Sequence, residues 1–277
     1  MSDPGSYDTS SIYAAARTIA YDMLRRTSRI PRNPIKRSTE AAKKLRERGV
    51  PEAEYLMALL ILQAPAAVRA QRQMDRREGG YNNRQARVFE LIDFNDTFVD
   101  LVLSMPSEEL EDFPERLRRE LDHHCERMHT TKLTDRQYEA IVHGLSREIA
   151  VYRGAKKEGL LARMTSRVQD SRGVDMIITD PETKRSIAID CKTSSSFHFR
   201  LLRLEEKRRI NEQFRIDCEE AGFCQVDSGP KSDPSPTVLV RISTEHLGPI
   251  TNFEFEDTTN LGELLRRALT DSGKYII

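Results

Sequence analysis

Two short apolar runs, GVDMIIT (173–179) and SIAIDCK (186–192), stand on either side of the polar turn DPETKR, and no other stretch limits the fold so tightly. Side chains alternate along a strand. Ile187, Ile189 and Cys191 therefore share one face, and Ala188, Asp190 and Lys192 the other. In the first run Val174, Met176 and Ile178 point one way while Asp175 and Ile177 point the other. Antiparallel pairing symmetric about Glu182 and Thr183 sets Asp175 opposite Asp190, with side chains about 5 Å apart on one face. Both faces are apolar in the flanks, which suits a central hairpin better than an exposed edge.

Two adjacent carboxylates repel, and burial raises the cost. A divalent cation between them removes both problems, and oxygen ligands suit Mg²⁺ or Mn²⁺. Lys192, on the same face, is placed to hold a water or to stabilise charge building on a phosphate. A carboxylate-held metal beside a lysine is the equipment for hydrolysing a phosphodiester. The bland alternative is a solvated pair of aspartates with Lys192 as a cross-strand charge partner.

Ahead of the hairpin the chain reads as helices. SSIYAAARTIAYDMLRRT has apolar residues at helical spacing, and STEAAKKLRERG begins at Ser38 and ends at Gly49. Pro65 is expected to kink or end the next helix. NRQARVFELIDFNDTFVDLVLSM and SEELEDFPERLRRELDHHCERMH follow. A capping box, Thr134 to Gln137, opens a helix that stops at Gly159. Beyond it come LLARMTSRVQ, the two hairpin strands, one long helix from about Ser196 to Glu220, the polar loop DSGPKSDPSP, and the strand TVLVRIS. The expected fold is α/β in the C-terminal half after an all-α N-terminal half, with domains at 1–130 and 131–277. The boundary lies in HTTKLTD.

The order helix, three strands, helix, strand resembles the core of the PD-(D/E)xK, or restriction-endonuclease-like, nuclease superfamily. Asp175 matches its first aspartate and Asp190-Cys191-Lys192 its (D/E)-x-K, with Val174 standing where the name has proline. The resemblance covers roughly residues 133 to 245 and implies a restriction-endonuclease-like αβββαβ core. It implies Asp175, Asp190 and the Cys191 backbone carbonyl as ligands of Mg²⁺ or Mn²⁺. Lys192 would position the water or stabilise the transition state. Many members add a glutamate from the first core helix. Glu148 lies nearest the apolar stripe of Tyr138, Ile141, Val142, Leu145, Ile149 and Tyr152, while Glu139 and Glu158 fall further off it. An ordinary boundary glutamate would fit the same place.

After Lys192 the segment TSSS suits a helix cap. Arg200, Arg203 and Lys207 then recur on one helix face, a basic stripe able to track a DNA backbone or to remain solvated beside Glu205, Glu206 and Glu212. Ser194 and Ser195 are placed to touch a scissile phosphate, and capping explains them equally. Arg163 and Arg167 precede the hairpin. In HHCERMH, Cys125 and His129 have the one-turn spacing of a zinc pair, without a second pair elsewhere. Phosphate-loop, dinucleotide and serine-hydrolase signatures are absent.

Charge and composition bound the rest. The 277 residues carry no net charge, yet residues 1 to 90 hold an excess of about seven positive charges and residues 91 to 130 about seven negative. The basic segment could lie on phosphates or pair with the acidic one. With 32% charged residues and 38% apolar ones, a polar, helix-rich chain is expected, without a secretory signal or a membrane-spanning run. Four cysteines without a CxxC pair suit a reduced compartment, hence the cytoplasm, or the nucleoid or nucleus beside DNA. Taken together the sequence leads to a metal-dependent DNA endonuclease, with DNA as partner. A homodimer or a protein partner is expected through the helical N-terminal domain. Two other readings remain open. One is a nuclease-fold module that binds DNA or assembles a complex without cutting; the other is a helical interaction protein with an incidental hairpin.

Overall fold

A computed structural model describes residues 9–27, 33–49, 52–75, 81–106, 109–165, 173–227 and 238–270, the side chains of 9–11 and 81–87 excepted. The protein is mixed α/β, helical in its N-terminal half, with a mixed five-stranded sheet in its C-terminal half. It divides into two compact units between Val142 and His143. That division falls inside a helix, downstream of the polar segment HTTKLTD.

The first unit contains α1 (Thr9–Arg26), α2 (Pro34–Arg46), α3 (Ala53–Asp75), α4 (Tyr81–Ser104), α5 (Phe113–Arg127) and the start of α6 (Asp135–Lys157). Helix α2 starts earlier than the sequence suggests. Asn33 is its cap, with Oδ1 accepting from the Ile35 and Lys36 amides (3.0 and 3.2 Å), and Pro34 sits in the first turn where no amide is needed. Ser38 is instead buried inside the helix and donates to the Leu62 carbonyl at 2.7 Å.

Helix α3 continues through Pro65 to Asp75, so the proline does not end it. Nearly every residue from Met57 to Val68 is buried against α1, α2, α4 and α5, and this packing outweighs one missing amide. By length and composition α3 is apolar enough to cross a bilayer, but most of it is enclosed as the core helix of this unit. The capping box of α6 forms as the sequence predicts: the Thr134 amide donates to Gln137 Oε1 (3.0 Å) and the Gln137 amide to Thr134 Oγ1 (3.3 Å).

The second unit holds β1 (Leu161–Met164), β2 (Met176–Thr179), β3 (Ser186–Lys192), α7 (Ser194–Glu206), α8 (Glu212–Ala221), β4 (Phe223–Asp227), β5 (Val238–Ser243), the short pair β6 (Ile250–Thr251) and β7 (Glu254–Phe255), and α9 (Thr259–Thr270). The sheet order is β1-β2-β3-β5-β4. Only β3 and β5 run parallel; the other neighbours are antiparallel.

Two elements differ from the sequence reading. The long helix expected from Ser196 to Glu220 is two helices, because Arg208 takes a left-handed φ of 54° and Asn211 caps a new helix through the Phe214 amide at 2.8 Å. Gly222 then ends α8 with a φ of 70°, and FCQVD forms the extra edge strand β4. The polar loop expected ahead of β5 lies almost wholly outside the described residues.

Alternation along the strands sorts the core. Met176, Ile178, Ile187, Ile189, Cys191, Val240 and Ile242 pack with Ala150, Val151 and Ala155 of α6 and Leu261, Leu265 and Leu269 of α9. Ile177, Ala188 and Leu239 point to the opposite face. Cys224 of β4 packs there with Phe197 and Leu201 of α7 and Cys218 of α8. The candidate acids project from this second face.

Candidate active site

The β2–β3 ladder pairs Met176 with Ile189, Ile177 with Ala188 and Ile178 with Ile187, the register that symmetry about Glu182 and Thr183 predicts. One further step sets Asp175 beside Asp190. The strand leaves the regular ladder just there: the Asp175 amide donates to the Ile189 carbonyl at 2.8 Å, and Asp175's own carbonyl accepts from the Thr165 amide of the β1 side at 3.1 Å. Asp175 and Asp190 are both buried, at 8% and 2% exposure, so neither is a solvated surface acid.

Each carboxylate is engaged. Asp175 Oδ2 accepts from the Cys191 amide at 2.6 Å, satisfying a buried donor. Asp190 Oδ2 accepts from Arg241 Nε at 3.0 Å. Asp190 Oδ1 is sealed from solvent and has no well-formed hydrogen bond; the Lys192 ammonium lies against it as an ion pair. Lys192 Nζ also donates to the Cys191 carbonyl at 3.1 Å. Burial works against the charged form of Lys192, but the Asp175 and Asp190 carboxylates more than offset it, and its pKa is raised. Lys192 is therefore an ammonium at neutral pH. The Cys191 thiol is pushed far up by burial and by the charges of Asp175 and Glu148, so it stays protonated.

Arg241 is the residue that sequence reasoning missed. It stands directly opposite Asp190 in the parallel β3–β5 ladder, and the same pairing joins Cys191 to Ile242 and Lys192 to Ser243. Its only signal in the sequence is a lone cation in the otherwise apolar run TVLVRIS.

Glu148 is half-buried on α6, near enough to Cys191 for its charge to act on that thiol. It does not complete a metal cage: among the described residues no three His, Cys, Asp or Glu side chains group as metal ligands would. Glu139 is exposed, and Glu158 is tied to Thr258 and Arg266 at 2.6 Å each.

The donors available to a cation at this site are two carboxylates and the Cys191 carbonyl, all hard oxygens that fit Mg²⁺ or Mn²⁺ in kind. Two protein cations already balance the two carboxylates. A metal would have to displace Lys192 from Asp190 Oδ1, the buried atom with no hydrogen bond.

The cap after Lys192 is a threonine, and Ser194 is held by neighbours on β5 and beyond it. Thr193 caps α7 through the Ser196 amide at 3.2 Å. Ser194 Oγ meets Ser243 Oγ at 2.9 Å, and its amide donates to Glu245 Oε2 at 2.6 Å. Burial opposes the Glu245 charge, but Ser194 and Arg147 hold its pKa below the usual range; Arg147 Nη2 is 2.9 Å away.

The basic stripe is a different matter. Arg200, Arg203, Lys207, Arg208 and Arg209 are all exposed. None has an acidic partner among the described residues; Glu205, a neighbour that could have neutralised them, pairs with Arg215 at 2.8 Å. Arg163 is exposed on β1, and Arg167 lies outside the described residues.

The HHCERMH segment is not arranged for zinc. Cys125 is buried, with its thiol pushed up to about 11 by burial, and His124 is enclosed beside Ser38 Oγ at 3.1 Å. Comparison of the chain with protein families, with curated proteins and with solved structures finds no match.

Proposed function

We propose that the protein is a divalent-metal-dependent endonuclease that hydrolyses phosphodiester bonds of DNA, with its chemistry on the β2–β3 hairpin. The observation that carries this reading is the pair of buried aspartates, Asp175 and Asp190, with the Lys192 ammonium against one of them at the end of β3. The strand order β1-β2-β3-β5, with β5 parallel to β3 after a helical crossover, supports a restriction-endonuclease-like core around that motif.

Asp175, Asp190 and the Cys191 carbonyl would hold the cation, with Glu148 as a further ligand if α6 brings it in. When bound, such a cation polarises the phosphate and lowers the pKa of a water. Lys192, kept charged, would hold the attacking water by donating to it and stabilise charge on the phosphate; it is not a general base at neutral pH. Arg241 would hold Asp190 in place until a cation takes up part of its charge. The α7 stripe of Arg200, Arg203 and Lys207 would neutralise backbone phosphates. The N-terminal helices would recognise DNA or a protein partner, and pairing of two chains would bring one site to each strand.

A second reading has its own observation. Lys192 and Arg241 already balance Asp175 and Asp190, and a site so neutralised can serve as a structural knot. On that reading the protein is a nuclease-fold module that binds nucleic acid without cutting.

The test is cleavage of labelled linear, branched, single-stranded and supercoiled DNA with Mg²⁺ or Mn²⁺, comparing wild type with Lys192→Ala. Cutting by wild type alone is expected. Equal cutting by both removes the hairpin as the site. No cutting by either, with DNA bound, selects the second reading. Metal is also expected to raise the Tm of wild type and not of Asp190→Ala.

A further inference from the structure

Phe199 is one of two large apolar side chains strongly exposed among the described residues, at 52%, and it lies inside the basic stripe of α7. The opposite side of this helix, Phe197 and Leu201, is buried in the core, so the outward side carries Phe199, Arg200, Arg203 and Lys207 together. The Arg203 guanidinium lies over the Phe199 ring, 4.7 Å from its centroid. Ser194, where α7 begins, follows Lys192 by two residues, so Phe199 stands about 8 Å along the helix axis from the active-site end.

A single exposed phenylalanine is ordinary on a protein surface; one that stacks under an arginine within a run of exposed cations is a more specific arrangement, and an apolar protein partner would not be drawn to that charge. The combination has one chemical match: a polyanion with exposed flat rings. Phosphates meet the cations, and an unstacked base completes a sandwich on the Phe199 ring, whose other side is held by Arg203. Duplex DNA offers the phosphates but keeps its bases stacked inside. Stacking on aromatic side chains within a positive groove is how proteins bind single strands without regard to sequence.

We infer that the outward face of α7 binds unpaired nucleotides, with Phe199 and Arg203 as the base-stacking platform, Arg200 and the capping Lys207 as phosphate contacts, and Arg208 and Arg209 adding positive charge from the turn just beyond the helix. This rests on the nucleic-acid reading above and narrows it: the substrate has a single-stranded segment, such as a flap, gap or loop, lying on α7 as it enters the site. Cleavage itself is not needed for the inference to hold.

The test is fluorescence anisotropy in EDTA, which prevents cutting. The full-length protein is titrated with labelled oligothymidylate, its RNA counterpart oligouridylate, and a mixed-sequence duplex. Wild type is compared with Phe199→Ala and Phe199→Tyr. Phe199→Ala is expected to weaken single-strand binding roughly tenfold, the loss of one stacked base, while leaving duplex binding within about twofold. Phe199→Tyr should restore the single-strand affinity, and the preference between the DNA and RNA probes names the sugar. Because Phe199 is exposed, both variants should keep the wild-type circular dichroism. Equal loss on duplex and single strand, or no loss on either, overturns the inference and leaves the nuclease reading standing. Phe199-dependent binding by a protein that cuts nothing keeps the inference and removes the nuclease. Wild type that binds none of the three probes removes both.

Discussion

Arg241 and Asp190 face each other across the parallel β3–β5 ladder, with Arg241 Nε 3.0 Å from Asp190 Oδ2 and both side chains largely shielded from water. Removing one partner of a shielded pair leaves the other charge stranded, which costs far more than the pair contributes. Arg241→Met leaves Asp190 with Lys192 as its remaining partner, so it is expected to lower stability in urea by about 2–4 kcal/mol, less than a fully stranded charge would cost. Asp190→Asn combined with Arg241→Met should lose less than the two single changes added together, since the second change removes the stranded charge. If the acids hold a metal, Mn²⁺ should recover part of the Arg241→Met loss, because the ion replaces the missing positive charge. No recovery would favour the non-cutting module.

The two glycines of α6 within the second unit make a matched pair. A methyl group built on Gly154 would come within 2.6 Å of Leu261 Cδ2 and 3.3 Å of Thr258 Cγ2, whereas one on Gly144 meets nothing within 4 Å. Leu261 is fully buried and has no room to yield. Alanine gains up to about 1 kcal/mol over glycine in a helix, while overpacking costs about 1–3 kcal/mol. Gly144→Ala is expected to raise the urea midpoint, and Gly154→Ala to lower it. A rise for both would mean that α9 can move away from α6.

The unpaired cations of α7 predict a salt dependence. Each phosphate neutralised releases counterions, giving a slope of about −0.7 per contact on a single strand. Changing Arg200 and Lys207 to glutamine together should flatten the plot of log affinity against log salt by about 1.4. An unchanged slope would place the phosphate contacts elsewhere.

What the sequence discloses, and what it hides, follows from how local each feature is. The hairpin was legible because a short turn with a clear centre fixes the partner of every residue on both strands, and Asp175 and Asp190 come with it. The capping box at Thr134 was legible for the same reason: its two bonds span three residues. Arg241 was not, because it reaches Asp190 through a crossover of two helices and a strand, and nothing near either residue encodes that register. Ser38 has the residue type of a helix cap. Asn33-Pro34 upstream took that role, and burial beside Leu62 and His124 gave Ser38 another. The break between α7 and α8 lacks glycine and proline, the usual punctuation; it rests on one left-handed arginine and an asparagine cap. Pro65 shows the opposite case, a strong local signal for a helix end that the packing around α3 overrules.

That packing encloses His124, which is expected to contribute to the acid sensitivity of the helical unit. It has no exposed surface; its Nε2 is 3.1 Å from Ser38 Oγ, and its ring lies 6.5 Å from that of Tyr21. Burial, with the positive charges of Arg127 and His123, lowers its pKa from 6.5 to about 4. The folded state thus binds the proton less readily than the unfolded one. Above pH 6.5 the ring is neutral in both states and costs nothing. As pH falls from 6.5 to 4 the unfolded chain takes up the proton first, and stability drops by about 3 kcal/mol from this residue alone. Below pH 4 both states are charged and the loss levels off. His124→Gln removes the titration, so its urea stability should be lower at pH 7 but fall less steeply between pH 6.5 and 4. Parallel curves for wild type and variant would show that His124 gains its proton without unfolding the helices, through an opening of α5 that water can enter.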